Sequence, residues 1–387
     1  MLLTYGKHPK TLATVRSLGR ASNQVVVTDD MASPLSAFSK YCHKFVKTSI
    51  PSVDSDAFIR ELDQICRGED IELMIPMDDP ECDLLSAQSA STTLKTTVAM
   101  PPEGIYDIAR DKAKTVKLAE ELGVEVPMSR VVRNTDELEE AIVRIGLPAI
   151  VKPLRSSGSR GFRLIEKNAD VVATSGLFDA YGPLLAQEFV KHGGAVGVSY
   201  LLDHGKTKAV FAHRRLLEFP DTGGASIVSE SIRHPEAELA GKTILEHVGW
   251  HGVAMVEFRL DGKTGRPMLM EINPRFWGTL QLAISSGVDF PVMLCKMYAG
   301  GDVRPVDTYR TGIRCVSLLP RGIASALAPG GARRLAKTLR YASKSRCFYV
   351  ESFDDPMPAL GSALGLLRFA VDQRMTQSFF REETQQG

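Results

Sequence analysis

Between Met255 and Arg275 the chain reads Met-Val-Glu257-Phe, a run of turn residues, then Met-Leu-Met-Glu271-Ile-Asn273-Pro-Arg275. Each arm alternates apolar and polar residues, the period of a strand with one buried face. Asp261-Gly262-Lys263-Thr264-Gly265-Arg266-Pro267 supplies turn chemistry between them, so the arms are predicted to pair as a hairpin. Period-two geometry sets Glu257 on one face of the first arm, and Glu271 with Asn273 on one face of the second. Three oxygen-bearing side chains then converge, with the Arg275 cation in reach. This donor set suits a hard divalent cation such as Mg²⁺ (or Mn²⁺), which takes carboxylates and leaves other positions to water and phosphate oxygens. A hairpin with a merely wet polar face is the plain alternative, and it gives no reason for Asn-Pro-Arg directly after the acid.

At 387 residues the chain is long enough for two or three domains. A formal charge of +1 argues against a nucleic-acid footprint. Cys42, Cys66, Cys82, Cys295, Cys315 and Cys347 lie far apart with no Cys-x-x-Cys, which points to reduced thiols rather than a disulfide frame or zinc site. No signal peptide is visible, and no apolar run approaches the roughly 18 residues that cross a bilayer. A soluble, cytoplasmic protein is the expectation.

In the first hundred residues, predicted strands at Leu2–Tyr5, Gln24–Thr28, Ile71–Ile75 and Thr96–Met100 accompany a helix over Thr11–Leu18. Strands alternating with helices imply a parallel sheet. No G-x-G-x-x-G follows the first strand, so dinucleotide binding is not supported. Pro101-Pro102-Glu103-Gly104 marks a break, and Asp107–Leu122 reads as one helix closed by Gly123. From Val124 the pattern becomes α+β. A helix capped at Asn134 runs through Arg144, and strands follow at Ala149–Pro153, Leu184–Phe189, Val196–Leu202 and Ala209–His213.

Three Gly-Lys-Thr triplets begin at Gly205, Gly241 and Gly262. A P-loop needs an earlier glycine where these have Tyr200, Glu236 and Glu257, so all three are rejected and read as turns. Lys152 is a better phosphate ligand. It ends a buried strand and is followed by Ser156-Ser157-Gly158-Ser159-Arg160-Gly161, whose amides can close over phosphates while the ammonium acts as a point charge. Such a loop is equally a flexible turn. Lys112, about forty residues earlier, offers a second cation. Gln187-Glu188-Phe189-Val190 ends another strand, where a carboxylate and backbone groups can read an adenine edge or belong to a plain edge strand.

Taken together, Lys112, Lys152, the Ser/Gly loop, Gln187-Glu188, Glu257 and Glu271-x-Asn273 occur in an order and spacing that resembles ATP-grasp enzymes. The resemblance implies an α/β and α+β fold. A Rossmann-like parallel-sheet domain would cover 1–103 and a two-lobed ATP-grasp module 104–300, with lobes of about 124–190 and 191–300. Residues 301–387 would complete or pack on the module. It implies that Lys112 and Lys152 contact ATP phosphates, that Ser156, Ser157, Gly158, Ser159 and Gly161 cover them, and that Gln187, Glu188, Phe189 and Val190 hold adenine. Glu257, Glu271 and Asn273 would bind Mg²⁺, and Arg275 would stabilise an acyl-phosphate or its carboxylate precursor. In one respect the chain departs from the pattern. Gly193 to Ser199 holds no acid for the ribose hydroxyls, so the ribose residue is unassigned.

His213-Arg214-Arg215 reads as a strand end. Arg215 is a fork for a substrate carboxylate and His213 a proton acceptor for an attacking amine, unless the tract faces solvent. Ser226 after Gly223-Gly224 is a substrate contact or a turn residue, and Trp277 a core anchor or a pocket wall. The basic stretch Arg333–Arg346 and apolar Leu360–Val371 read as a solvated face and packing helix, with membrane contact the minor alternative. The leading function is an ATP-dependent ligase joining a small-molecule carboxylate to an amine. A kinase or carbamoyl-phosphate-type synthase, and a non-catalytic nucleotide-binding module, are its rivals. A two-fold dimer is the default assembly.

Overall fold

The computed structural model describes residues 1–88, 94–158, 160–219, 225–319, 321–327 and 330–363. The N-terminal part forms a parallel sheet of β1 (Leu2–Leu3), β2 (Val26–Asp29), β3 (Lys44–Lys47), β4 (Leu73–Ile75) and β5 (Thr97–Val98), in the order β3-β2-β1-β4-β5. These strands are short, and strand–helix–strand connections keep them parallel. The predicted helix extends over Pro9–Arg20, because His8 accepts from the Lys10 N–H and Pro9 suits the first turn.

Next come β6 (Ser129–Val132), β7 (Ala149–Pro153), β8 (Arg163–Ile165) and β9 (Leu184–Glu188), an antiparallel sheet ordered β6-β9-β7-β8. The third sheet holds β10 (His192–Asp203), β11 (Lys206–Phe219), β12 (Ala225–Ile232), β13 (Gly252–Asp261), β14 (Pro267–Asn273), β15 (Arg314–Val316) and β16 (Cys347–Phe348). Its order is β14-β13-β10-β11-β12-β15-β16, antiparallel apart from the β15–β16 pair.

Alternation along β13 explains how the layers stack. Ala254, Val256 and Phe258 pack with Tyr200, Ile244, Leu245 and Trp250 on one face of the large sheet. Val253 and Met255 point the other way, into a core shared with Leu3, Val27 and Ile75 of the N-terminal sheet and with Phe276, Trp277 and Phe290. Trp277 is the core anchor, fully buried and edge-on to Phe290 at 5.0 Å. Glu257 continues the Met255 face, so the carboxylate emerges where the core between the two sheets ends.

Several local expectations are corrected. The helix expected over Asp107–Leu122 is two helices, Glu103–Arg110 and Lys112–Glu121, because Asp111 is extended (φ −100°, ψ 111°) and its carboxylate caps Ala113 and Lys114. The Gly241-Lys242-Thr243 triplet lies inside the helix Pro235–His247 rather than in a turn. Strand β11 runs on to Phe219, so His213-Arg214-Arg215 lies in mid-strand. The basic stretch forms the helix Gly331–Ala342, while Leu364–Val371 and Gly223-Gly224 lie outside the described residues. All six cysteines are free, and no described helix is long and apolar enough to cross a membrane.

A buried ion pair ties the first helix to the C-terminal segment. Arg16 Nε donates to Asp355 Oδ2 at 2.9 Å, and Ser39 Oγ and the Lys40 N–H complete the carboxylate's partners. Arg16 is 2% exposed and Asp355 1%. Asp355→Ala leaves the guanidinium buried without its charge partner and is expected to destabilise the fold by about 3–5 kcal/mol in denaturant unfolding, with Asp355→Asn costing less.

Candidate functional site

Strand register builds the site. Glu271 of β14 lies opposite Glu257 of β13, Glu257 opposite Gly197 of β10, and Gly197 opposite His213 of β11. Directly opposed residues share a face, and so do residues two apart along a strand. Asn273 and Arg215 therefore lie on this face too. The Asn273 amide donates to Glu257 Oε1 at 3.3 Å, with Glu271 Oε1 at 3.5 Å. Arg215 Nη2 donates to Glu257 Oε2 at 2.5 Å. Burial pushes the Glu257 carboxyl up from its ordinary range, Arg215 opposing and the Glu271 charge adding to it. Glu271 is held below its range although burial would raise it, because Lys112 and Lys152 face it.

The two lysines arrive from different elements. Lys112, at the start of the helix Lys112–Glu121, has its ammonium 3.6 Å from Glu271 Oε2 and donates to the Ser156 carbonyl at 2.9 Å. Lys152, on β7, is 8% exposed and donates to Gln187 Oε1 at 3.0 Å; Gln187 in turn donates to Ser129 Oγ. Burial, then the Lys112 charge, push the Lys152 ammonium down to about 8, with Glu271 opposing. A continuous chain of contacts thus joins Ser156, Lys112, Glu271, Asn273, Glu257 and Arg215, with Lys152 and Gln187 beside it. It places two cations against two carboxylates, an arrangement able to hold a polyanion next to a hard metal ion.

Other predicted residues stand apart from that chain. Glu188 ends β9 with its carboxylate 3.5 Å from the Met128 N–H, the Phe189 N–H donates to the Pro148 carbonyl, and Val190 is buried. Ser157 Oγ accepts from Arg160 at 3.0 Å. Gly158 and Gly161 have positive φ, and a Cβ at Gly161 would meet Pro153 Cγ at 2.6 Å, so that turn requires glycine. Ser159 lies outside the described residues. Ser226 bonds Ser229 Oγ at 2.7 Å within β12.

His213 is 1% exposed, its Nε2 3.1 Å from Thr279 Oγ1. Its ring fills the space over Gly197, where a Cβ would meet His213 Cε1 at 2.3 Å. Burial and the Arg215 charge push its pKa down to about 3, which leaves a neutral imidazole that is a weak proton acceptor at pH 7. Arg275 is tied to the N-terminal part by a two-point contact. Its Nε and Nη2 each donate to Asp79 at 2.8 Å, and Nη1 donates to the Phe276 carbonyl. The guanidinium holds Asp79 well below the usual carboxylate range, although burial would raise it.

Asp79, Gly197 and Thr279 are the residues that sequence reasoning missed. Asp78-Asp79-Pro80 carries a local signal, a strand end entering a helix. Nothing local marks Asp79 as the partner of an arginine 196 positions away.

A sequence profile of the ATP-grasp domain matches residues 109–279. This chain carries an ATP-grasp domain. The large chain of carbamoyl phosphate synthase from Thermus thermophilus is 24% identical over 271 residues, covering 62% of this chain and 26% of that protein. The chain thus spans about a quarter of the length of this curated relative. Among solved structures, the biotin carboxylase–nucleotide complex from Campylobacter jejuni superposes with a TM-score of 0.67 at 14% identity, over 81% of this chain and 74% of that one. N5-carboxyaminoimidazole synthetase from Staphylococcus aureus gives 0.63 at 15% identity, over 81% and 80%. The ATP-grasp domain covers Lys112, Lys152, Gln187, Glu257, Glu271, Asn273 and Arg275 alike.

The paired lysines make a direct prediction. A ¹³Cε titration of the lysines is expected to show one ammonium, lost in Lys152→Gln, with a midpoint near 8. Lys112→Met removes the neighbouring charge and moves that midpoint up. An ordinary lysine midpoint for Lys152 in the unsubstituted protein contradicts the buried placement.

Proposed function

We propose that this chain is an ATP-dependent ligase that activates a substrate carboxylate as an acyl-phosphate and joins it to an amine. The observation that carries this reading is the face shared by Glu257, Glu271, Asn273 and Arg215, with Lys112 and Lys152 closing on it. The fit for Mg²⁺ rests on the same geometry. Two carboxylates from directly opposed strand positions converge on one amide, and Asn273 supplies the positive character that a divalent ion would supply more strongly. Such an ion would neutralise charge on the transferring phosphoryl group. We take residues 104–300 as the ATP-grasp unit behind a 1–103 sheet domain; the addition of β15 and β16 to the large sheet favours counting 301–387 with it.

Each protein group then has a role. Lys112 and Lys152 orient the phosphates, with the Ser156–Gly161 loop over them, and Gln187 holds the Lys152 ammonium in place. The segment Glu188–Val190, at the junction of the small and large sheets, receives adenine. A substrate carboxylate oxygen attacks the γ-phosphorus, and ADP leaves. An amine nitrogen attacks the acyl carbon, sheds a proton and expels phosphate. Positioning and electrostatics supply most of the catalysis in such a sequence. Arg215, already at Glu257, stabilises charge on the transferring group. Arg275 keeps N–H groups beyond the three contacts described above, and these are available to a substrate carboxylate that arrives beside Asp79. His213 supports the row by packing rather than by taking a proton.

The likeness to carbamoyl phosphate synthase favours one rival, a product that retains phosphate. An ADP-release screen over paired carboxylates and amines, followed by mass spectrometry, separates the two: an amide condensation supports the ligase, a phosphorylated product the rival. ATP binding without turnover against any pair overturns both. Glu271→Gln is expected to lower ADP release by about 10²–10³-fold; full turnover in that variant sinks the metal assignment. Bound triphosphate raises the Lys152 pKa, so ATP affinity stays level below pH 8 and weakens above it, by up to about tenfold per pH unit. Lys152→Met weakens binding and flattens that slope.

A further inference from the structure

At the β10–β11 turn, Asp203, His204 and His251 bring one carboxylate oxygen and two imidazole nitrogens within 4.8 Å of one another. Asp203 ends β10, His204 begins the turn into β11, and His251 directly precedes β13. Along β10 the distance from Gly197, opposite Glu257, to Leu202, opposite Gly252, is roughly 17 Å at the strand rise, so the cluster is separate from the site above.

We propose that Asp203, His204 and His251 form a second metal site, for a borderline divalent transition ion of the Zn²⁺ class. Geometry is the first support. Asp203 Oδ1 lies 2.9 Å from His204 Nδ1 and 3.4 Å from His251 Nδ1. Two ligands on a tetrahedral ion with bonds of roughly 2.0–2.1 Å stand roughly 3.3 Å apart, close to both. The second support is the state of the donors. The His204 backbone N–H donates to His251 Nδ1 at 3.3 Å, so that nitrogen carries its lone pair and faces Asp203 Oδ1 acceptor to acceptor. An ion between them would take that lone pair in place of the 3.3 Å N–H contact.

The surroundings hold the ligands in place. Lys208 lies 4.0 Å from Asp203 Oδ2, which leaves Oδ1 turned to the imidazoles. The His251 ring packs on Tyr298 at 4.9 Å, and the Tyr298 hydroxyl donates to the Met100 carbonyl. His204 occupies the left-handed region (φ 46°), held there by the tight turn before Gly205. Nitrogen donors set this site apart from the all-oxygen set at Glu257, Glu271 and Asn273: imidazoles select Zn²⁺-class ions, carboxylates and amides Mg²⁺. The exposed side of His204 leaves a fourth position for water. An ion here would clamp the β10–β11 turn to the entry of β13, a stabilising role remote from phosphoryl transfer.

The test uses the full chain without an affinity tag, stripped by chelator and dialysed against excess Mg²⁺. Zinc titrated by calorimetry is expected to bind with one equivalent at micromolar or tighter affinity and to raise the Tm, and Co²⁺ to give tetrahedral visible bands. His204→Asn, which tolerates the left-handed backbone, and His251→Gln are each expected to weaken zinc at least tenfold with the metal-free Tm little changed. Glu271→Gln is expected to keep the equivalent. Millimolar zinc affinity in the unsubstituted protein overturns the proposal. So does unchanged affinity in His204→Asn, or loss of the equivalent in Glu271→Gln.

Discussion

The Arg275–Asp79 pair is the interaction on which the relation between the two halves of the site depends. Asp79 begins the helix that follows β4 of the N-terminal sheet, and Arg275 stands two residues beyond Asn273. Two parallel N–H···O contacts of 2.8 Å, with Asp79 2% exposed, allow little freedom in distance or angle. Asp78 extends the link by taking Lys10 at 2.8 Å, and Asp83 from the same helix takes Arg110 and Tyr106. Arg110 in turn leads directly, through Asp111, to Lys112. One acidic helix therefore registers both the strand that carries Glu271 and the helix that carries Lys112. A pair of this kind yields little net stability over an apolar contact, because desolvation offsets most of the attraction. Its consequence is geometric. With the fork fixed, a lysine from one segment and a carboxylate from another meet at 3.6 Å.

What the sequence disclosed follows from how local each signal is. The hairpin was legible because period two and the Asp261–Pro267 turn both lie within about twenty residues, and the ATP-grasp resemblance was legible from the order of Lys112, Lys152, Glu257 and Glu271. Strand β7 was readable for the same reason, being apolar and closed by proline. The break at Asp111 was missed because a capping carboxylate inside a helical pattern looks like one more polar residue. His213-Arg214-Arg215 was misplaced at a strand end because three polar residues in a row resemble an exit. In the folded chain Gly197 makes room for the His213 ring, Glu230 pairs with Arg214 and Glu257 with Arg215. Those partners come from three other strands, and no window along β11 contains them. Asp79 was invisible for the same reason at greater range.

Charge balance explains why such a polar face tolerates burial next to a shared apolar core. Glu257 and Glu271 are directly opposed, an arrangement that on its own disfavours the ionised pair. Arg215 approaches Glu257 from the β11 side, while Lys112 and Lys152 approach Glu271 from the small-sheet side. Each carboxylate thus has cations from a different structural layer, and Asn273 touches both carboxylates. The two lysines also repel each other, which adds to burial in lowering the Lys152 pKa. That repulsion makes the pair most favourable when a further anion lies between them. Under the proposed function, the face would favour a polyanion on the lysine side and a cation on the carboxylate side.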